Sequence, residues 1–313
     1  MVSQTKIEWA DAVWNPVTGC TPVSEGCQNC YAKRMATRLR GRFGYPEDEP
    51  FRVTLHEDRV EEPLRWRKPK RIFVCSMGDL FHPDVSTNYQ EQVWRVMLST
   101  DKHTFLVLTK RSERMRNEIK HVYARIFADP EMKHHRVPDN IWLGVTAENQ
   151  QAVDERIPIL LQIPAAVHWV SCEPLLGPVD LLHVDGNDVL SPATDDFWNE
   201  LEELRPAHLD WIVVGGETGP NARPMHPDWV RSLRNQAVAA GVPFFFKSWG
   251  EYIPSYDAGE RSSERGQYNR TIGECWVKSS YRFPDDGQVM VKVGKKAAGR
   301  LLDGRTWDEV PEI

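Results

Sequence analysis

Three cysteines near the start of the chain are the residues whose type and spacing point most directly to chemistry. Cys20, Cys27 and Cys30 follow the pattern C-x6-C-x2-C, with no fourth cysteine nearby. A structural zinc site closes its shell with four protein ligands, and a [4Fe–4S] cluster normally takes four cysteines. Three thiolates alone would leave one iron of such a cluster open to a further ligand. The pattern therefore predicts an iron–sulfur site, with a zinc site or unligated thiols as the alternatives.

The elements that must position these cysteines alternate between short apolar runs and amphipathic stretches. The apolar runs predict seven strands, near 6–13 and at 71–77, 104–109, 141–146, 167–172, 211–216 and 242–247. The amphipathic stretches predict helices at about 27–42, 87–100, 111–127, 148–162 and 227–240. Strands that are apolar throughout are covered on both faces, which is typical of parallel sheets in α/β proteins.

This alternation predicts the α/β fold class, with a partial or complete parallel (β/α) barrel and a C-terminal extension. We expect the barrel to span 1–249, with an acidic insertion at about 183–209, and the extension at 250–313 to pack on it. The cysteine loop lies between the first predicted strand and the first predicted helix. Because barrel enzymes place their chemistry on the face formed by such loops, we expect the cysteines at the barrel mouth.

Cysteine content and hydropathy indicate where the protein resides. Six cysteines in 313 residues are too few for a disulfide framework. The chain has neither an N-terminal apolar segment of signal-peptide length nor a run of about 18 apolar residues. These features predict a cytoplasmic protein without membrane attachment, in which thiols remain free to bind metal.

Three basic patches stand out against the overall net charge of −6. They lie at 31–42, 65–71 and 110–116, and the second surrounds Trp66. Clustered cations attract polyanions, and an aromatic side chain between them could stack on a base. The patches predict contact with nucleic acid, while solvated helix faces are the alternative.

The cysteine motif and two strand ends resemble known proteins. The motif resembles that of the radical SAM superfamily, which usually has C-x3-C-x2-C and uses S-adenosylmethionine (SAM). Most of the chain, including the segment from Val293 to Gly299, resembles a phage-associated three-cysteine-motif family of unknown function. The stretches Cys75–Asp79 and Thr109–Lys110 are locally similar to spore photoproduct lyase. The resemblance implies a barrel of radical SAM type.

The resemblance also implies two cofactors and a set of site residues. The cofactors are a [4Fe–4S] cluster, bound by the three cysteines, and SAM. Asp79 is expected to accept from the SAM amino group, and Lys110 to bind its carboxylate. Cys75 is the expected hydrogen-atom donor, and Glu217 is expected to face the substrate. Further cofactor contacts are expected from Tyr31, Ser76, Thr146 and Glu148.

The activity implied by this resemblance is reductive cleavage of SAM followed by hydrogen abstraction from a substrate. The basic patches and the lyase-like turns favour a nucleic-acid base or nucleotide as that substrate. An external electron donor of flavodoxin or ferredoxin type is also implied. Two alternatives stay open: a zinc- or cluster-stabilised nucleic-acid-binding protein without catalysis, and radical modification of a peptide or partner protein.

Overall fold

A parallel sheet of seven strands forms the centre of the molecule. The computed structural model describes residues 5, 7–127, 138–191, 207–257, 271–272, 275–276 and 279–312. The strands are β1 (Ala12–Trp14), β2 (Arg71–Val74), β3 (Thr104–Thr109), β4 (Ile141–Thr146), β5 (Val167–Cys172), β6 (Trp211–Gly215) and β7 (Phe244–Ser248). They neighbour one another in chain order, every pair parallel. The predicted α/β fold, a partial (β/α) barrel, is confirmed.

The first strand departs from its predicted position near 6–13. It begins at Ala12, because the preceding residues form a turn in which the Ala10 amide donates to the Ile7 carbonyl. This turn places Trp9, only 2% exposed, in the hollow of the curled sheet. The Trp9 ring lies 4.8 Å from that of Phe73, measured between centroids. Burial of one large aromatic side chain thus takes precedence over strand pairing here.

Five helices connect most of the strands. They are α1 (Tyr31–Arg38), α2 (Thr87–Leu98), α3 (Ser112–Phe127), α4 (Gln150–Leu160) and α5 (Pro227–Ala240). Helix α4 begins where the Asn149 side chain accepts from the Ala152 amide. Helix α5 ends at Gly241, which has a φ of +69°. Helix α1 is shorter than the predicted 27–42, because a tight turn follows it.

Alternate side chains of each strand enter two different apolar layers. On β3, Phe105 and Val107 pack with the helices, whereas Leu106 and Leu108 face the hollow of the sheet. The hollow is filled largely by tryptophans, and the rings of Trp169 and Trp211 lie 5.4 Å apart. Because both faces are covered, the strands carry apolar residues at successive positions.

Residues beyond the sheet cover its last edge. Strands β8 (Tyr252–Pro254), β9 (Ser279–Arg282) and β10 (Val289–Lys292) form an antiparallel sheet in the order β8-β10-β9. The Phe246 amide donates to the Trp307 carbonyl, so the C-terminal residues run along β7 and pair with part of this edge. The predicted domain boundaries stay a prediction, and residues 192–206 of the predicted acidic insertion lie outside the described residues.

Shorter elements complete the described structure. The paired strands are Val17–Thr18 with Thr54–Leu55, and Thr271–Ile272 with Cys275–Trp276. The helical turns are Glu25–Cys27, Glu57–Val60, Glu62–Arg65 and Lys295–Ala298. Within the described ranges, none of the helices has the length and apolar character needed to cross a membrane.

Candidate functional site

A cavity of about 270 Å³ lies at the carboxyl ends of the parallel strands. Its volume is near the lower end of the roughly 300–1,000 Å³ typical of small-molecule sites. Most of the residues predicted from the sequence line it: Cys20, Cys27, Cys30, Tyr31, Cys75, Ser76, Asp79, Lys110, Thr146 and Glu217. Glu148 is not among the lining residues, but its carboxylate contacts Lys110. Parallel strands end at one edge, so residues far apart in sequence converge there.

The cysteine loop is fixed to the strand ends by several side chains. The Arg111 guanidinium donates to the Cys20 sulfur at 3.4 Å and to the Thr21 carbonyl at 2.9 Å. The Asn149 amide group donates to a Glu25 carboxylate oxygen at 2.7 Å. These contacts, made by residues after β3 and β4, position the loop over the barrel mouth.

The second half of the loop leads directly into α1. Cys27 lies in the helical turn Glu25–Cys27, and its carbonyl accepts from the Cys30 amide. Cys30 is the capping residue directly before α1. The Asn29 side chain, between these two cysteines, donates to Glu217 at 2.9 Å. The spacing C-x2-C therefore corresponds to one turn that places both cysteines in the cavity lining.

The thiol of Cys20 responds to both burial and neighbouring charge. Its pKa is raised to about 11, mainly by burial and further by the nearby Asp79 and Cys27. Arg111 lowers this pKa but does not outweigh these effects. Because Cys27 influences this pKa, the two sulfurs share one electrostatic environment. Without a bound metal the Cys20 thiol is protonated at neutral pH, so metal binding there must release a proton.

Sulfur separation distinguishes between kinds of metal site. Over the described part of the chain, three or more His, Cys, Asp or Glu ligand atoms lie within 4.8 Å of one another only at His226, Asp228 and Asp286. A tetrahedral zinc shell with Zn–S bonds of about 2.3 Å would hold its sulfurs about 3.8 Å apart. The three cysteine sulfurs therefore do not all lie within 4.8 Å of one another.

Asp79 is held in place by residues at the end of β3. Its carboxylate accepts from the Thr109 hydroxyl at 2.9 Å, from the Phe81 amide at 2.9 Å and from Arg111 at 2.7 Å. The Asp79–Arg111 pair is nearly buried, with side-chain exposures of 8% and 10%. Since the same guanidinium reaches Cys20, Asp79 orients the group that contacts the cysteine loop. Its predicted contact with a SAM amino group stays a prediction.

Lys110 and Glu148 form a buried ion pair beneath the cysteine loop. The Lys110 ammonium donates to a Glu148 oxygen at 2.8 Å, and Arg156 donates to the same oxygen at 2.9 Å. Burial alone would raise the pKa of Glu148, but Lys110 and Arg156 lower it to about 2. A Cβ at Gly26 would lie 2.8 Å from the ammonium nitrogen, so glycine allows the loop to pack on this pair.

Glu217 lies at the cavity in a network that the sequence did not predict. Arg223 donates to one Glu217 oxygen at 2.6 Å, and Asn29 donates to the other. Burial raises the pKa of Glu217, but the hydrogen bonds from Arg223 and Asn29 outweigh it and hold this pKa below its usual range. Its predicted catalytic role stays a prediction, whereas its contact with Asn29 fixes the segment between Cys27 and Cys30.

The two strand-end cysteines both belong to the helix-facing core cluster but differ in their relation to the cavity. Cys75 is 4% exposed, also lines the cavity and has a φ of +57°. Cys172 is fully buried among the helix-facing side chains and is not part of the cavity lining. Burial raises the pKa of each thiol to about 12, so both retain their S–H bonds at neutral pH. Of these two cysteines, Cys75 is the one that borders the cavity.

The basic patches differ in how many free cations they present. In the patch at 110–116, Lys110, Arg111 and Arg114 pair with Glu148, Asp79 and Glu118. Trp66 in the second patch packs against the core and lies 6.0 Å from the His103 ring, measured between centroids. It is therefore less accessible for stacking than the sequence predicted.

The contacts of Arg111, Arg223 and Asn29 were missed because they join distant parts of the chain. Arg111 was counted among the cations of a basic patch, yet it binds Asp79 and Cys20. Its position directly after Lys110 was the only signal in the sequence. Arg223 and Asn29 carried no signal, since their shared partner, Glu217, is fixed only by the fold.

The fold and the cavity define an α/β protein with a partial parallel barrel and a cysteine-lined site at the strand ends. The chain belongs to the family described as "Protein of unknown function (DUF5131)", whose model matches residues 4–311. Comparison with curated proteins found no match.

Two solved structures to which this chain is similar are those of spore photoproduct lyase. One is described as "Spore photoproduct lyase complexed with dinucleoside spore photoproduct". It is 10% identical, with 93% of this chain and 71% of that chain covered and a TM-score of 0.42. A mutant of the same enzyme is 10% identical with the same coverage and a TM-score of 0.41.

Proposed function

We propose that the protein is an iron–sulfur-dependent radical SAM enzyme that abstracts hydrogen from a nucleic-acid base or nucleotide. The observation that carries this proposal is the convergence of Cys20, Cys27 and Cys30 on one cavity with Lys110. Three thiols are the ligands that a three-cysteine cluster with one free iron requires. The cavity leaves room for a further ligand of that iron, and the Lys110 cation favours an anionic one. Neither Cys75 nor Cys172 belongs to that motif.

The number of cysteines favours a [4Fe–4S] cluster over a structural zinc ion, because such a zinc site takes four protein ligands. The Arg111 N–H directed at the Cys20 sulfur is the kind of contact that tunes cluster potentials. When bound, the cluster supplies the electron for reductive cleavage of SAM. The chain itself binds the cluster through Cys20, Cys27 and Cys30, and it orients Arg111 through Asp79.

Lys110 remains available for an anionic group although it contacts Glu148. An ammonium group has three donors, and the described structure gives one of them a partner. We propose that the free Lys110 donors bind the SAM carboxylate and that Thr146 and Glu148 contact its ribose, while Tyr31 and Ser76 border the cofactor.

The substrate assignment rests on the cavity and on the surface beside it. Cys75, with its intact S–H bond, is proposed to return a hydrogen atom to the substrate. Exposed cations on and after α1 favour a polyanionic substrate. We also propose that the protein is phage-associated and resides in the cytoplasm. Its electrons would come from an external donor of flavodoxin or ferredoxin type.

Anaerobic purification followed by analysis of iron, acid-labile sulfide and zinc tests the proposal. We expect about four irons per chain in reconstituted protein and an electron paramagnetic resonance signal of the reduced cluster that changes when SAM is added. Dithionite-reduced protein should release methionine and 5′-deoxyadenosine from SAM. Stoichiometric zinc without iron, or a cluster that neither binds nor cleaves SAM, would contradict the proposal.

Removal of the Lys110 ammonium should weaken SAM binding. Lys110→Ala deletes a charge-assisted hydrogen bond worth about 2 kcal/mol, which corresponds to roughly a thirtyfold increase in Kd. Isothermal titration of the reconstituted protein measures this change. Lys120→Ala, which removes an exposed lysine of α3, serves as the control and should leave Kd unchanged. Equal affinity in both variants would remove the assignment of Lys110.

Loss of the Cys75 thiol should change the product and not the cleavage of SAM. Cys75→Ala keeps the cysteine motif, so 5′-deoxyadenosine formation should continue while the substrate radical lacks its hydrogen donor. Product analysis by mass spectrometry should then show altered or rebound products. Cys172→Ala, in the helix-facing core, should give the normal product. A normal product from Cys75→Ala would show that another group donates the hydrogen atom.

A further inference from the structure

The turn after α1 exposes an aromatic side chain in a conformation that L-residues rarely adopt. Phe43 is 71% exposed, and its φ is +52°. The flanking Gly41 and Gly44 also have positive φ values, +66° and +77°, and glycine adopts these values without the Cβ penalty. A bulky residue with such a φ is a strained outlier, and strain of this kind is found preferentially at functional positions.

The rest of the turn is tightly built, so the exposure of Phe43 is imposed by its surroundings. The Gly41 amide donates to the Tyr45 carbonyl at 3.0 Å, and the Tyr45 amide donates to the Arg42 carbonyl at 3.0 Å. Tyr45 is 6% exposed and packs in an apolar cluster with Ala36. The turn thus buries one aromatic ring and leaves the other largely exposed to solvent.

Unpaired cations lie on α1 and on the residues between it and this turn. Lys33, Arg38 and Arg40 are exposed, and no acidic side chain among the described residues forms an ion pair with them. The acids that follow the turn include Asp48, which pairs with Arg52 at 2.9 Å. We define Lys33, Arg38, Arg40 and Phe43 as the Phe43 surface. It combines a positive charge with a free aromatic face.

We infer that the Phe43 surface binds an unpaired nucleic-acid strand, with one base stacked on Phe43 and the phosphates beside the cations. This inference rests on the proposed nucleic-acid substrate. It assigns to Phe43 the base-stacking role that the sequence predicted for Trp66. Side chains that bind single strands combine cations along the backbone with aromatic rings on which bases stack. A base inside a duplex has both faces stacked, so Phe43 requires an unpaired or extruded base.

The position of the surface relative to the cavity favours the same partner. Helix α1 begins with Tyr31 at the cavity and ends with Arg38 beside the turn. Its eight residues span about 12 Å at 1.5 Å per residue. A few nucleotides of an unpaired strand, whose spacing can exceed the duplex rise of about 3.4 Å per nucleotide, cover that length. A strand held at Phe43 would therefore place a base a few positions away at the cavity mouth.

Fluorescence anisotropy with the full-length protein and a labelled single-stranded DNA of about 12 nucleotides tests this inference. Phe43→Ala should raise Kd about tenfold, and Phe43→Tyr should restore most of the affinity, since base–aromatic stacking does not require phenylalanine itself. Tyr281→Ala, which removes a 43% exposed aromatic side chain on β9, is the matched control and should bind like the unchanged protein.

Two further variants separate stacking from charge and from folding. Arg38→Ala should lower the slope of log Kd against log salt by about 0.7, the value for one phosphate contact on a single strand. Phe43→Asn should lose as much affinity as Phe43→Ala, yet raise Tm slightly, because asparagine tolerates a positive φ. Together, weaker binding and higher Tm would show that the strained conformation serves the ligand.

Several results would overturn the inference. The first is an equal Kd for Phe43→Ala and the unchanged protein. The second is equal or tighter binding of the corresponding duplex. The third is Phe43-dependent binding of phosphatidylserine vesicles or an acidic peptide by a protein that does not bind the oligonucleotide. Iron content and 5′-deoxyadenosine release are measured on the same preparations. SAM cleavage without oligonucleotide binding contradicts only this inference, whereas Phe43-dependent binding by a protein that forms no cluster contradicts only the proposed enzyme.

Discussion

Replacing Cys27 with alanine is expected to abolish cluster assembly and to reduce SAM cleavage to the level of protein without iron. A site with three ligands has none to spare, so removal of one thiolate leaves a second iron of the cluster unprotected. The same result is expected for Cys20→Ala and Cys30→Ala, since all three line one cavity. Iron and sulfide analysis, the visible absorption of the cluster and 5′-deoxyadenosine release measure the effect.

The matched control for these variants is Cys172→Ala. Cys172 is a buried cysteine of the same chain, but it packs on the helix-facing side of β5 and does not line the cavity. The control should assemble a full cluster and cleave SAM at the normal rate. If each single variant of the motif retained full iron content, the three cysteines could not be the cluster ligands.

The parts of the fold that were predicted correctly depend on local patterns. Strands such as Ile141–Thr146 and Val167–Cys172 are buried at every position because both faces of the sheet are covered, and their largely apolar sequences identify them without tertiary information. Parallel strands end at one edge, which is why the residues that follow them were expected at one mouth. The first strand was misplaced because Trp9 is buried by contacts with Phe73 and Trp169, which lie far away in sequence.

Charge is the property that the sequence predicted least well. Lys110 and Arg111 belong to a run of cations that looks like a solvated basic patch, yet each pairs with a buried acid from another strand end. Whether a cation is solvated or paired depends on acids such as Glu148, whose position only the fold determines. Conversely, Phe43 was not singled out, because its exposure results from the conformation of a turn.

Among these buried charges, Glu148 is expected to give the largest effect on stability. Glu148→Gln should lower the free energy of unfolding by about 3 kcal/mol at pH 7, because a pKa of about 2 in place of the usual 4.5 corresponds to that amount. The variant also leaves the buried Lys110 and Arg156 cations without their shared anion, and this kind of loss is costly. Urea unfolding at pH 7 measures the difference.

The pH dependence identifies the charge of Glu148 as the cause. A carboxyl group whose pKa is depressed by folding stabilises the protein above its unfolded pKa, near 4.5, and the stabilisation is lost as pH falls towards the folded pKa, near 2. The gap in unfolding free energy between the unchanged protein and Glu148→Gln should therefore be full at pH 7 and narrower at pH 3. Glu155→Gln, at an exposed position of α4, should change stability by no more than about 0.5 kcal/mol. A gap of the same size at both pH values would mean that Glu148 stabilises the protein through packing and not through its ion pair with Lys110. The contact of the loop at Gly26 with this pair would then depend on packing and not on charge.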